Sequence, residues 1–284
     1  MRHNKPVNIQ QPDLLEEFRS LVEAIYRDNL NYRNKPVSRS KAASVLKLFT
    51  QGLDVNAQDP QGMTPLGIIA HRTYDDSATL VKIACELIDR GANPMINDAP
   101  LGATIYQGRS SDLLEGVISA LVARENEGRG LRDEWGGNLL HFAARTDTTL
   151  IASLLEDDIR KPPEERKFSP DLLMSRRTQD NGTLLHALWG HMNSFLNQEM
   201  TNKNEGLLRW IATRHLLDQG LDLLTKDAYG QTAAQGVMHV LAHGIHVPDD
   251  DTWDQMRSSL DKLRLEGDTA TPYTSPIQVP RRRI

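Results

Sequence analysis

The chain is expected to be all-α, a solenoid of stacked helix pairs joined by short finger loops or β-turns and closed by helical caps. Three observations predict this class. First, a short phrase recurs four times: an acidic or polar residue, a Gly or Asn at the point of a turn, a helix-capping residue, then apolar ones. It reads Asp59-Pro-Gln-Gly62-Met-Thr64-Pro65-Leu66 and Asp133-Glu-Trp-Gly136-Gly-Asn138-Leu139-Leu140-His141. It returns as Asn181-Gly-Thr183-Leu184-Leu185-His186 and as Asp227-Ala-Tyr-Gly230-Gln-Thr232-Ala233-Ala234. Second, a closing phrase recurs as Gly52-Leu-Asp-Val55, Gly91-Ala-Asn-Pro94 and Gly220-Leu-Asp-Leu223. Third, apolar residues between the two phrases fall at helical spacing. Such recurrence marks a stacked array, because one helix pair cannot bury its apolar face alone.

The cap comes first. Leu14, Leu15, Phe18, Leu21, Val22 and Ile25 form one helical stripe over residues 12–30, with Pro12 at its start. Over 39–51, after Ser38 or Ser40, Ala42, Val45, Leu46 and Phe49 make a second stripe that stops at Gly52. Residues 59–94 then form the fullest unit. Gly62 is expected at positive φ. Thr64 offers a hydroxyl to the free N–H groups of the first helical turn. Pro65 follows at the first helical position, where its missing N–H costs nothing. Ile83-Ala-Cys-Glu-Leu-Ile88 builds the second helix, and Gly91 suits the left-handed residue just past a helix end.

Residues 98–124 are read as a degenerate unit, with Thr104 as its cap and Leu113–Val122 as its second helix. In the next unit Asn138 caps in place of threonine. Residues 157–179, charged and holding Pro162 and Pro163, are expected to extend a finger loop. Asn181 then takes the place of the turn glycine, since Asn is the next most tolerant of that conformation. Residues 190–205, rich in amides, are read as a helix extension or a solvated loop. Trp253, Met256, Leu260 and Leu263 form an amphipathic final helix. The organisation expected is a helical cap (1–51), an array of about five units (52–265) and a flexible, proline-containing tail (266–284).

These phrases resemble the ankyrin repeat, whose signature is a turn followed by T-P-L-H-x-A and two helices. The resemblance covers roughly residues 40–265. An ankyrin unit is about 33 residues, so the wider gaps here are insertions. The resemblance implies an array that binds another protein through its finger tips and the first helix of each pair, which line a concave face. The residue before each turn Gly or Asn is then at a tip: Gln61, Trp135, Asp180 and Tyr229. Trp and Tyr are enriched in interface hot spots, so Trp135 and Tyr229 are either anchors or packing against neighbouring fingers. Arg72, Arg145, Trp189 and Met238 are added from the first helices. His141 and His186 match the signature histidine, which in the family is structural. Gly67 and Gln235 hold the same place in other units. Degenerate units with long insertions look like ankyrin proteins of bacteria, their phages or pathogens. That implies an effector acting in a host cell or an immunity protein that blocks a toxin.

Composition narrows the classes. The 284 residues carry a net charge of −5, and the pI is near 6.0, which argues against general nucleic-acid binding. No apolar run approaches the ~20 residues of a membrane span, and the N-terminus lacks the apolar core of a signal peptide. Cys85, the single cysteine, is expected to be buried, and a cytoplasmic monomer is the expectation. Common nucleotide, zinc-protease and redox motifs are absent, so neither a cofactor nor enzyme activity is expected. The alternative is a metal-dependent enzyme. It rests on His239 and His243, four apart on one helical face, with His246 and Asp249–Asp251 behind them.

Overall fold

A computed structural model describes residues 11–31, 39–72, 78–95, 111–146, 148–189, 203–242, 256–258 and 260–261. Among these the regular structure is helical, with an isolated bridge between Lys226 and Thr232. The fold is the ankyrin-like, all-α class expected. In order the helices are α1 (Gln11–Asn31), α2 (Arg39–Thr50), α3 (Pro65–Arg72), α4 (Ala78–Asp89), α5 (Ser111–Asn126) and α6 (Leu139–Thr146). They continue as α7 (Thr148–Ile159), α8 (Pro170–Met174), α9 (Leu184–Trp189), α10 (Lys203–Asp218) and α11 (Ala233–Ala242), with a 3-10 turn at Pro163–Glu165. The chain divides into two compact units, Met1–Glu134 and Trp135–Ile284, and the division falls inside the second opening phrase.

In the first unit α1 packs on α2 and α3, α3 on α4, and α4 on both α2 and α5. The expected stripes are real: Leu15, Phe18, Val22, Ile25 and Val45 are buried. Phe18 meets Phe49 edge to face at 5.7 Å. The Gln11 amide clamps the cap onto the array: its Nε2 donates to the Gly52 carbonyl at 2.6 Å, and its Oε1 accepts from Asp54 N–H at 3.1 Å.

The closing phrases share one geometry. Gly52, Gly91 and Gly220 all have positive φ. Each donates to the carbonyl three residues back, and the following residue donates to the carbonyl five back. Orphan carbonyls at the helix end are thereby satisfied. Gly128 ends α5 in the same way, although Gly128-Arg-Gly-Leu does not read as the closing phrase. Past three of these ends an Asx turn follows: Asn56 N–H to Asp54, Met95 N–H to Asn93 and Leu224 N–H to Asp222. Asn56 and Asn93 also bridge successive closes. Asn56 donates to the Gly91 carbonyl and accepts from Asn93 N–H, and Asn93 donates to the Arg132 carbonyl.

In the second unit the first helices form one layer, with α9 between α6 and α11. The second helices α7 and α10 pack together as the other layer. Close approach in the first layer needs Gly236, since a Cβ there would stand 2.5 Å from the Trp189 carbonyl oxygen. The charged insertion does not extend a finger loop. Ser169 caps α8 by accepting from Leu172 N–H at 3.2 Å, and Phe168, Leu172 and Leu173 are buried. The buried Asp158 carboxylate fastens the segment by accepting from Lys167 N–H and Phe168 N–H. Its charged residues are therefore the outer surface of a tied-down brace. Residues 190–202, Thr104, Trp253, Leu263 and the tail from 266 lie outside the described residues.

Candidate functional site

Each finger is a tight turn whose N–H groups need acceptors. At residues 59–64 the Asp59 carboxylate supplies them: Oδ1 accepts from Gln61 N–H at 2.9 Å and Met63 N–H at 2.8 Å. Asp59 also pairs with Arg19 of α1. Thr64 caps α3 through a bond from Gly67 N–H at 3.2 Å. The turn at 227–232 repeats this design. Asp227 Oδ1 accepts from Tyr229 N–H at 2.9 Å and Gln231 N–H at 2.8 Å. In both turns the aspartate faces inward and the residue two later faces out. Gln61 is exposed, and Tyr229 is 49% exposed.

The turn at 177–183 is built differently. It is one residue longer: Arg177 N–H donates to the Gly182 carbonyl at 2.9 Å, and Asn181 N–H to the Arg177 carbonyl at 3.0 Å. Asp180, expected at the tip, is only 4% exposed. Its Oδ1 accepts from Gly182 N–H and from Arg177 Nε, while Oδ2 pairs with the other arm of the guanidinium. The bidentate pair fills the middle of the turn, so the carboxylate does not project. Arg176, Thr178, Gln179 and Asn181 are the exposed residues of this finger. Asn181 has φ +58°, alone among described non-glycine residues in being positive.

Three fingers of the second unit are joined edge to edge. Thr178 N–H and Gln179 N–H donate to the Gly136 and Trp135 carbonyls, each at 3.3 Å, and Ala228 N–H donates to the Asp180 carbonyl at 2.7 Å. This places Trp135, Gln179 and the Ala228–Tyr229 pair in successive fingers of one row. Trp135 is half-buried. Gly136 is required twice over. Its φ is +73°, and a Cβ there would stand 1.8 Å from Thr178 Oγ1.

The signature histidines lock the fingers from beneath. His186 Nδ1 faces Thr183 Oγ1 at 2.9 Å and accepts from Thr183 N–H at 3.1 Å, so its Nε2 carries the proton and donates to the Gln231 carbonyl at 3.1 Å. Burial pulls the His186 pKa below its ordinary value, against the smaller upward pulls of the Gln231 bond and Asp227. His141 uses the opposite face: its Nδ1 donates to Asn138 Oδ1 at 2.9 Å, an oxygen that also caps Leu140 and His141 N–H groups. Gln235 replaces the histidine in the last unit by doing the same job. Its Oε1 accepts from Thr232 N–H at 2.8 Å, while Gln235 N–H reaches Thr232 Oγ1 at 3.4 Å, a capping box.

The other candidates separate. Trp189, expected on an exposed helix face, is 1% exposed. Its indole N–H donates to Thr213 at 2.9 Å and its ring lies 5.3 Å from Trp210. Flanked by α6, α10 and α11, this helix has no solvent face to present. Arg145 lies over the Phe142 ring at 5.5 Å, and Met238 is half-buried. Arg72 ends α3; its side chain lies outside the described residues, as does that of His239. His243, His246 and Asp249–Asp251 also lie outside them. Among the described residues no three His, Cys, Asp or Glu come together as metal ligands, and no helix is long and apolar enough to cross a membrane. Cys85 is half-buried, and burial followed by nearby Asp89 pushes its thiol pKa up. Sequence reasoning missed the Arg177–Asp180 pair and the exposed cations Arg176 and Lys226. The available signal was Arg-x-x-Asp inside a turn otherwise built on one aspartate.

No family model matches the chain, and no curated protein does. Solved structures do resemble it. One is a complex of a predatory endopeptidase from Bdellovibrio bacteriovorus with an immunity protein: 21% identity, 84% of this chain and 96% of that chain covered, TM-score 0.38. Another is an ankyrin repeat protein, at 21% identity, with 78% and 94% covered and TM-score 0.36. A third is the ankyrin repeat domain of Bcl-3, of the IkappaB protein family, at 17% identity, with 86% and 97% covered and TM-score 0.34.

Proposed function

We propose that this ankyrin-like chain is a protein-binding module whose working surface is the finger row of its second unit. One observation carries the reading: three successive fingers are fixed to each other through backbone hydrogen bonds while Tyr229 stands 49% exposed at the end of the row. A preformed surface loses little conformational entropy on binding, and large aromatics are favoured anchors on such surfaces. The N–H groups of Gln61, Met63, Gly182, Tyr229 and Gln231 are bonded to aspartates within their own turns, which leaves the side chains at the tips for a partner. Trp135 and Tyr229 are the anchors in this reading, with Gln61 presented on the first unit. Asp180 and Trp189 support the frame. Binding needs neither cofactor nor catalysis, and the module acts as a cytoplasmic monomer, as an immunity protein that blocks a toxin or as an effector in a host cell.

Affinity capture from native lysate, read by mass spectrometry, tests this with wild type beside a Trp135→Ala, Tyr229→Ala variant. A partner held by wild type and lost by the variant supports the row. Equal capture by both would move the site elsewhere on the chain and sink the assignment.

A further inference from the structure

Exposed acids are kept off the finger row of the second unit, while exposed cations such as Arg160 and Arg214 also occur on its second helices or at their ends. Its fingers and first helices contain two acids, Asp180 and Asp227, and both are buried with their carboxylates bonded inside turns. None of the three first helices, LLHFAART, LLHALW and AAQGVMHVLA, holds an acidic residue. The cations in the same layer face the other way: Arg176 and Lys226 are exposed in the fingers, and Arg145 is half-exposed on α6. Among the described residues of this unit, the exposed acids sit instead on the second helices, the insertion, the closing turn and the final helix: Asp157, Glu164, Glu165, Asp171, Asp218, Asp222 and Asp261. A chain with a net charge of −5 therefore carries a finger row of positive sign.

From this geometry we infer that the finger row of the second unit takes an acidic, extended segment of a partner protein, its carboxylates on Arg176 and Lys226 and its apolar side chains on Trp135 and Tyr229. The inference rests on the finger-row reading above and deepens it. Opposite potentials across an interface steer encounter and reject partners of the wrong sign. Buried aspartates serve the same end, because they build the turns without presenting negative charge at the tips. Glu134, exposed just before Trp135, ends the first unit and opposes the effect locally.

The test is selection of a random phage-displayed peptide library on the full chain. Four forms are compared: wild type, Arg176→Glu/Lys226→Glu, Trp135→Ala/Tyr229→Ala and Glu134→Gln. Circular dichroism confirms that each is folded. The expected result is enrichment of acidic peptides containing an aromatic or large apolar residue. Their binding should weaken with salt and fall about tenfold on double charge reversal, as for two partly screened ion pairs. Glu134→Gln should leave it equal or tighter. Neutral or basic winners, no winners at all, or acidic winners unaffected by charge reversal would overturn the proposal. Winners released by the Trp135/Tyr229 variant but not by charge reversal would overturn it while leaving the finger-row reading intact. Winners indifferent to both double variants would overturn the two together.

Discussion

The turns at 177–183 and 227–232 do the same job with different parts. At 227–232 one aspartate at the start of the turn accepts two backbone N–H groups and is itself enough. At 177–183 an arginine holds that place, the turn gains a residue, and the acceptor moves to Asp180, which must also neutralise Arg177. The role is kept while the residue that fills it moves. The regular turn is cheap and local. The altered one places a full ion pair at 3% and 5% side-chain exposure, where each charge depends on the other.

The comparison breaks hardest at the aspartates. Asp180→Ala leaves Arg177 buried without its counter-ion and should cost about 3–5 kcal/mol. Asp227→Ala strands two N–H groups in a turn and should cost about 1–3 kcal/mol. Urea denaturation followed by circular dichroism ranks them, and an Asp227 variant that is the less stable of the two would refute the distinction.

The neighbouring glycines come next. Gly230→Ala meets only the strain of positive φ, about 1–2 kcal/mol, because nothing lies within 4 Å of the new Cβ. Gly136→Ala must also displace Thr178, whose Oγ1 would be 1.8 Å away, adding about 1–3 kcal/mol. Most of the excess should be lost in a Thr178→Gly background, where only the residue-178 backbone nitrogen at 3.1 Å still crowds the Cβ. If it persists there, the longer turn is not what presses on Gly136.

The smallest effect is on pH. Beneath the altered turn sits His186; beneath the regular one sits Gln235, which does not titrate. Burial holds His186 neutral in the folded state, while the unfolded chain takes up a proton near the ordinary 6.5. The unfolded state then binds more protons, so the His186 contribution is complete above that value and is lost as pH falls below it. Stability measured from pH 7 to 5 should decline, and His186→Gln should flatten the decline. Some slope should remain, because His215 is also depressed by burial. A variant that keeps the full wild-type slope would show that His186 is not its source.

What could be read from the sequence was what the backbone dictates locally. Gly62, Gly136, Asn181 and Gly230 mark the positive-φ points, and Thr64, Asn138 and Thr232 mark helix starts, because each answers a need of its own turn. Asp180 was misread because alignment to a regular turn puts it at the tip, and only the extra residue turns it inward toward Arg177. Trp189 was misread for another reason. Periodicity marks a buried face by contrast with an exposed one, and every residue of α9 is buried, so there was no contrast to see. Gly128 closes α5 without the Asx residue that identified the other ends.

The joints between the fingers run from backbone amide to backbone carbonyl: Thr178 to Gly136, Gln179 to Trp135, Ala228 to Asp180. None of these joints is made by a side chain. The residues displayed at Trp135, Gln179 and Ala228 can therefore be exchanged one at a time without undoing the joint each supports, proline at the donors 179 and 228 excepted, and Tyr229 takes part in none of them. Frame and message are written in separate alphabets. A lineage facing a partner that keeps changing could revise the message indefinitely and inherit the frame unaltered.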